Sequence, residues 1–572
     1  MRKNLTKALA LALCALTAAP AVACGGGGGG GVEVDESKTQ LYVYHYDAGY
    51  GNKWINELAR NFETKMAGYV NGEKTGVQVI ISGDMTTRTA DGWRAETYDV
   101  MFLEGPGEFY QMMRDGVVEN LDSIMKVPNA EDNNQKIEDK MTQQQKDAYT
   151  FTKGEETHYY GIPHYAGHYG IIYNKEIFDE NGFYYDADGN LILEEITDAN
   201  RDLLSYGPDG RTGVENGIDY SLDDGLPTTY DEFFDLCIEI DANGIDPVCT
   251  PGMYYEQHIM HCLDNLVAAH EGAAQMNLNF TFNGTANDLV VIEDGEIVYE
   301  DDGVTPKTES LDINDDNAYN LSRQSGKFYA MQFMERLLGE NDHYNEEDSL
   351  NKAVTHLEMQ QKFLENGTRG VKENAMLIDG VWWQMEADAT FDRMARNLGE
   401  EYSKYGRDFA WMPLPQPTAE DAAKVASGEK NSVYLDYLRA VACVKANLSD
   451  VSKELALGFL QYAYTDQSLA NFTYTTGTTI GVDYLDAVDR SRLTPYEKSL
   501  INYIQKSDFV TEISGNVKYL TSFQSYGSIV NKYTAGTLAK NIVDAITDVE
   551  TTAEAYFLAN QTEYKNSLWS NK

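Results

Sequence analysis

Between residues 41 and 103 the apolar residues switch between a two-residue period and a period near 3.6, and that alternation limits the chain to few architectures. Leu41-Tyr42-Val43-Tyr44-His45-Tyr46 reads as a strand. Lys53 to Lys65 reads as a helix with Trp54, Ile55, Leu58, Ala59 and Phe62 on one face, and Val77 to Ile81 and Tyr98 to Leu103 read as further strands. This βαβ rhythm predicts a parallel sheet covered by helices on both sides. Ligands of such sheets sit beyond the carboxyl ends of the strands. No repeat at a period of 20 to 50 residues is visible, which excludes solenoids and propellers.

Composition narrows the partners. The 45 Lys and Arg stand against 91 Asp and Glu, a formal charge of -46, which excludes sequence-independent binding to nucleic acid and to an anionic membrane surface. With 42% hydrophobic and 24% charged residues over 572 positions, the chain is a folded one of two to four domains or lobes.

The start of the chain has its own logic. Arg2, Lys3 and Lys7 precede an apolar run from Ala8 to Ala19 and a small-residue site, which is the pattern of a secretory signal over residues 1 to 23. The run is shorter than the ~20 residues of a membrane span. Ala21-Val22-Ala23-Cys24 and the glycines that follow, Gly25 to Gly31, resemble a bacterial lipoprotein cleavage site, with Ala21 where leucine is usual. That resemblance implies a lipidated Cys24 and a flexible tether over residues 24 to 37. The alternative is ordinary cleavage after Ala23. Four further cysteines, Cys237, Cys249, Cys262 and Cys443, are too few for a disulfide framework in a chain this long, and Cys249 with Cys262 is the one pair to test.

The familiar catalytic signatures are missing from the sequence. There is no G-x-x-x-x-G-K-[ST] phosphate loop and no G-x-S-x-G elbow. His270-Glu271 begins an H-E-x-x-H pattern, but Ala274 stands where the second histidine belongs. His164 and His168, four apart in a strand-like context, would lie about 13 Å apart along a strand, and His258 with His261 forms a second close pair. No metal site and no cofactor is expected. Two segments, 183–226 and 283–317, are acidic, glycine-rich and hairpin-like, and read as surface insertions. Within the first, Asp186-x-Asp188-Gly189-Asn190 lacks EF-hand spacing and reads as a hairpin turn.

Five segments occur in a telling order: YYGIPHYAGHYGIIYNKEIF (159–178), LPTTYDEFFDLCIEIDANGIDPV (226–248), AMLIDGVWWQMEA (375–387), FAWMPLPQP (409–417) and ALGFLQYAYTDQSLANFTYTTGTTIGV (456–482). Within the second, Thr228 or Thr229 reads as the cap of a helix ending at Gly244. In that order the segments resemble the family 1 extracellular solute-binding proteins, the sugar-binding components of ABC importers. The resemblance implies an α/β, two-lobed periplasmic-binding-protein-like fold of type II, with hinge-connected lobes that close on a ligand. Lobe I would hold residues 38–165 and 432–480, and lobe II residues 166–431 and 481–572, with hinge strands near 165–170 and 434–444.

A sugar offers apolar C–H faces and a rim of hydroxyls, so its site needs flat aromatics and fixed hydrogen-bonding groups. Candidates by position are Tyr46 and Asp47 after the first strand, Glu104 after YDVMFL, and His168 and Tyr169 at the hinge. Tyr254, Tyr255 and Glu256 follow GIDPV, where the family places aromatic contacts, and Trp382, Trp383 and Tyr474 complete the set. Adjacent tryptophans cannot both point inward from an extended strand, so one of the pair 382/383 is expected to offer a stacking face. Trp411 is read as core. The resemblance implies a monomeric, non-enzymatic carrier at the outer face of the cell membrane. It would bind a neutral oligosaccharide, deliver it to ABC permease subunits, and touch the membrane by its lipid anchor alone. The alternatives are a binding protein for a peptide or metal, and a secreted glycan hydrolase, whose two carboxyl groups would have to flank one bond.

Overall fold

The computed structural model describes residues 33–46, 49–83, 89–104, 106–339, 343–345, 347–366, 371–436, 440–511 and 552–563. The signal, Cys24 with its glycines, and Asp47 lie outside the described residues. Along the chain come β1 (Thr39–His45), α1 (Lys53–Lys65), β2 (Val77–Ser82), β3 (Val100–Glu104) and β4 (Ile162–Pro163). Then follow β5 (Tyr169–Asn174), α2 (Tyr230–Ala242), β6 (Asp246–Cys249), α3 (Tyr255–Thr281), β7 (Asn374–Gly380) and β8 (Phe409–Met412). The last are β9 (Ser432–Asp436), β10 (Ala440–Val444) and β11 (Ser507–Thr511).

Local chemistry explains the elements. Helix α1 buries Trp54, Ile55, Leu58, Ala59 and Phe62, the face its spacing predicted. Helix α2 starts at a reciprocal box: the Thr229 hydroxyl accepts from the Glu232 N–H while the Glu232 carboxylate accepts from the Thr229 N–H. It stops at Asn243, followed by Gly244 at φ +80°. Strands β5 and β7 are buried along their whole length, as strands covered on both faces must be.

Two sheets result. The first has the order β2-β1-β3-β10-β4, and the second β6-β7-β5-β8. The expectation of a parallel sheet is corrected here, because both sheets are mixed. Strand β1 runs parallel to β2 and β3, whereas β10 runs antiparallel to β3 and β4; in the second sheet β5 is antiparallel to both β7 and β8. The cause is traffic between the sheets. Strand β4 ends toward the second sheet, residues 164–168 cross, and β5 begins with Tyr169 opposite Gly380. A strand that returns enters the first sheet at its cleft end, so Ala440 of β10 sits opposite Glu104, the last residue of β3. Strand β9 stays out of the first sheet. It pairs parallel with β11, and Asn265 of α3 ties it down by accepting from the Leu435 N–H (2.7 Å) while donating to the Tyr169 carbonyl (3.0 Å).

The segment 183–226 holds a short hairpin, Val214–Glu215 with Ile218–Asp219, in otherwise irregular chain, with Phe183, Tyr184 and Tyr185 buried at its start, and the segment 283–317 forms a hairpin of Gly284–Val290 with Thr308–Ile313. Asp186 makes an Asx turn, its Oδ1 accepting from the N–H groups of Asp188 and Asn190 at 2.9 Å each. Cys237, Cys249, Cys262 and Cys443 are buried free thiols, so the pair 249/262 is not joined. Among the described residues no helix is long and apolar enough to cross a membrane.

Candidate functional site

A cavity of about 320 Å³ opens between the two sheets, walled from both. From the first sheet, Tyr46 follows the end of β1, Gly49 and Tyr50 come next, and Glu104 closes β3. Tyr165 lies on the crossing. From the second sheet, Tyr169 opens β5 and Trp382 lies two residues beyond β7, while Tyr254 and His258 flank the start of α3. His356 and Glu386 complete the wall from the helices His356–Leu364 and Trp383–Glu386.

The aromatic rings form a connected surface. Tyr50 and Tyr165 have centroids 4.2 Å apart, Trp382 meets Tyr169 edge-on at 5.1 Å and Tyr50 at 6.2 Å, and His261 stacks on Tyr169 at 4.8 Å. The Trp382 ring lies so close over Gly380 that a Cβ there would sit 2.4 Å from its Cζ2, so the strand end must be glycine for the indole to take this position. The polar side of the wall is a relay. The Gln360 amide donates to Asp379 Oδ2 (3.0 Å) and to Glu386 Oε2 (2.9 Å), and Asp379 Oδ1 meets His258 Nε2 at 3.1 Å. Burial, with Asp379 beside it, pushes the Glu386 carboxyl up to about 7. Burial pulls the His258 imidazole down, but the Asp379 carboxylate outweighs it and the net direction is up. Glu386 also reaches the first sheet, for a Cβ on Gly49 would lie 2.4 Å from its Oε1.

Of the residues expected from sequence, Tyr46, Glu104, Tyr169, Tyr254 and Trp382 meet at this cavity. His168 does not. It is buried among the rings of Trp411, Tyr434 and Phe509 at 5.2–5.3 Å, and burial pulls its imidazole down to about 3. Trp383 points into the core against Phe363, Phe409 and Tyr496, because the turn into a helix at Trp382 sends successive side chains to opposite sides. Tyr474 is held elsewhere: its hydroxyl accepts from the Asp489 N–H (2.7 Å) and the Arg492 guanidinium covers its ring at 3.6 Å. Tyr255 and Glu256 open α3, but their side chains lie outside the described residues, as does Asp47. His164 is separated from His168, packed against Trp54 and Phe102.

Sequence reasoning missed Tyr50, Tyr165, His258, His356 and Glu386. For two of them a signal existed. His258 lies four residues after Tyr254 and Glu386 four after Trp382, the spacing that places two side chains on one helical face. Tyr50 and Tyr165 sit in irregular segments that no periodicity reads.

Two mixed α/β lobes facing each other over a walled cavity define the two-lobed solute-binding architecture. Residues 63–269 match the family model described as bacterial extracellular solute-binding protein, the family the ordered segments resemble. Among solved structures, the chain is similar to one titled "Chitin oligosaccharide binding protein" (14% identity, TM-score 0.52), with 93% of this chain and 99% of that one covered. It is also similar to a structure from a study of xylan utilization by the thermophilic bacterium Caldanaerobius polysaccharolyticus (13% identity, TM-score 0.53), with coverage of 92% and 99%. At these identities the likeness is one of fold. No curated protein matches the chain.

Proposed function

We propose that this chain is the extracellular binding component of an ABC importer and that it captures a neutral oligosaccharide in the cavity between its lobes. The observation that carries the reading is the wall itself: Tyr46, Tyr50, Tyr165, Tyr169, Tyr254 and Trp382 supply flat apolar faces, and Glu104, Glu386, His258 and His356 supply hydrogen-bonding groups among them. A cavity of about 320 Å³ falls within the usual range for small-ligand sites, roughly 300–1,000 Å³. The titles of the two similar structures, naming a chitin oligosaccharide and xylan utilization, support carbohydrate as the ligand class. In this reading the first lobe holds residues 38–165 and 440–480, and β9 goes with the second. The protein acts as a monomer that binds and releases its cargo unchanged, hands it to permease subunits, and is held at the outer face of the membrane through a lipidated Cys24.

The test is thermal unfolding of the protein against chito-oligosaccharides, xylo-oligosaccharides and other mono- and oligosaccharides, with peptides, amino acids and divalent metals as controls. A ligand at 100 times its Kd adds about 2.7 kcal/mol. A midpoint rise with one glycan class, and recovery of that glycan intact, is the expected result. A rise with peptides alone, or cleavage of the glycan, refutes the reading.

A further inference from the structure

A second polar cluster lies away from the cavity, where α3 is interrupted. Gly272, at φ +79° and ψ 165°, breaks this helix, and the two residues before the break are His270 and Glu271. The hairpin strand Gly284–Val290 brings Asp288 to the same place, and the first residues of the helix Ser325–Gly339 close over it. One ligand-type atom from each of His270, Glu271 and Asp288 lies within 4.8 Å of the others. Ser325 Oγ spans two of them, 2.8 Å from His270 Nε2 and donating to Asp288 Oδ2 at 2.8 Å. The Gly326 N–H and the Gln324 amide fix the Glu271 carboxylate at 2.8 and 3.1 Å.

Two features make this more than a satisfied polar network. First, Oδ1 of Asp288 is buried with no hydrogen-bond partner among the described residues, and Nδ1 of His270, a side chain only 10% exposed, makes no hydrogen bond and has the Asp421 carboxylate 3.6 Å away. Such atoms are costly to leave unmet, and native cores rarely do so. Second, the cations that could neutralise the two carboxylates are aimed elsewhere. The Lys327 ammonium donates to Asn279 Oδ1 (2.6 Å) and the Leu321 carbonyl (2.9 Å), and Lys430 donates to the His270 carbonyl and, at 3.5 Å, to Gln416.

We propose that His270, Glu271 and Asp288 bind one divalent transition-metal ion, Zn²⁺ or Mn²⁺, which fastens the acidic hairpin to the broken helix. One imidazole and two carboxylates form a donor set that such ions accept. At metal–ligand distances of about 2.0–2.2 Å, three donors around one ion stand roughly 3.3–3.8 Å from one another, so donors within 4.8 Å close around it by shifts of no more than about 0.7 Å each. The sequence hides the set because the second histidine of H-E-x-x-H is absent, and the third ligand comes instead from Asp288, on a separate strand.

The full chain, stripped with a chelator, is titrated calorimetrically with Zn²⁺, Mn²⁺ and Ca²⁺, alongside Asp288→Asn and His270→Gln. The expected result is one-to-one binding of Zn²⁺ or Mn²⁺, weakened tenfold or more in both variants, with a rise in the thermal midpoint of the wild-type chain on loading. X-ray absorption at the edge of the bound metal in the wild-type chain, which needs no variant to fold, reads a single imidazole among oxygen ligands. The proposal is overturned by absence of saturable binding of Zn²⁺ and Mn²⁺ to the wild-type chain, Ca²⁺ binding included as such a result when it stands alone. It is equally overturned by two or more imidazoles or a thiolate in the absorption spectrum, or by affinity that both variants leave unchanged.

Discussion

Trp382 and Trp383 are neighbours in sequence with opposite surroundings, and replacing each with alanine separates binding from stability. Trp383 is fully buried, with ring centroids of Phe409 and Tyr496 at 5.3 Å and Phe363 at 5.7 Å. Trp383→Ala therefore leaves a cavity in the second lobe and costs about 3–5 kcal/mol of folding free energy. At about 2 °C per kcal/mol for a lobe of this size, the thermal midpoint falls by roughly 6–10 °C. Trp382 is half-buried on the cavity wall, with two edge-on ring contacts, to Tyr169 and Tyr50. Trp382→Ala removes a stacking face, which weakens oligosaccharide binding by about 1–2 kcal/mol, roughly 5- to 30-fold in Kd. The assays are calorimetric titration at a temperature where both variants are folded, and thermal unfolding without ligand. The reasoning fails if Trp382→Ala leaves Kd within about twofold of wild type, or if Trp383→Ala weakens binding as much as Trp382→Ala does.

Three further outcomes follow from single groups. Glu386, raised from 4.5 to about 7 by burial with Asp379 beside it, stays protonated in the folded protein over a range where the unfolded chain has lost its proton. Its contribution to stability is therefore greatest below pH 4.5 and is lost as the pH rises to about 7, and in denaturant titrations Glu386→Gln flattens that part of the wild-type pH profile. The Lys140 ammonium, fully buried, is met by Asp132 Oδ2 at 2.7 Å, Asp466 Oδ1 at 2.5 Å and the Tyr464 carbonyl at 3.0 Å. Lys140→Ala strands two carboxylates and costs about 3–5 kcal/mol, read as a lower denaturation midpoint. Burial pushes the Cys262 thiol up to about 12, and Cys237, Cys249 and Cys443 are buried as well, so a thiol reagent labels these four only after unfolding.

Where local pattern and tertiary burial agree, the fold is legible in the sequence. The five apolar positions of α1 are the five it buries, and the Thr229–Glu232 box marks the start of α2 because its chemistry is contained within four residues. Strand direction was not legible in the same way. The βαβ rhythm holds for β1, β2 and β3, which are parallel, but β10 arrives from the other lobe after a long excursion, and nothing in Ala440–Val444 itself records the direction from which it enters.

The site divides along the same line. Residues anchored to a strand end could be placed by counting: Tyr46 after β1, Glu104 closing β3, Tyr169 opening β5, and Trp382 past β7 all reach the cavity, because the ends of these four strands face it. His168 failed the same count by one residue, since at a crossing each step reverses the side chain's direction and its ring went to Trp411 instead. Tyr474 failed for another reason: it lies on the helix Asp466–Thr476, where Asp489 and Arg492 occupy it. What sequence could not supply is the partnership across the cleft. Glu386 meets Gly49, and Tyr50 meets Trp382, only because two separately folded sheets are brought face to face. A substitution at Gly49 therefore tests the site more directly than its position suggests: Gly49→Ala drives a methyl group onto Glu386 Oε1, and it should weaken ligand binding while each lobe's own packing stays intact. Calorimetric titration and thermal unfolding of Gly49→Ala check this, and loss of stability without loss of affinity would show that the contact serves folding and not the cleft.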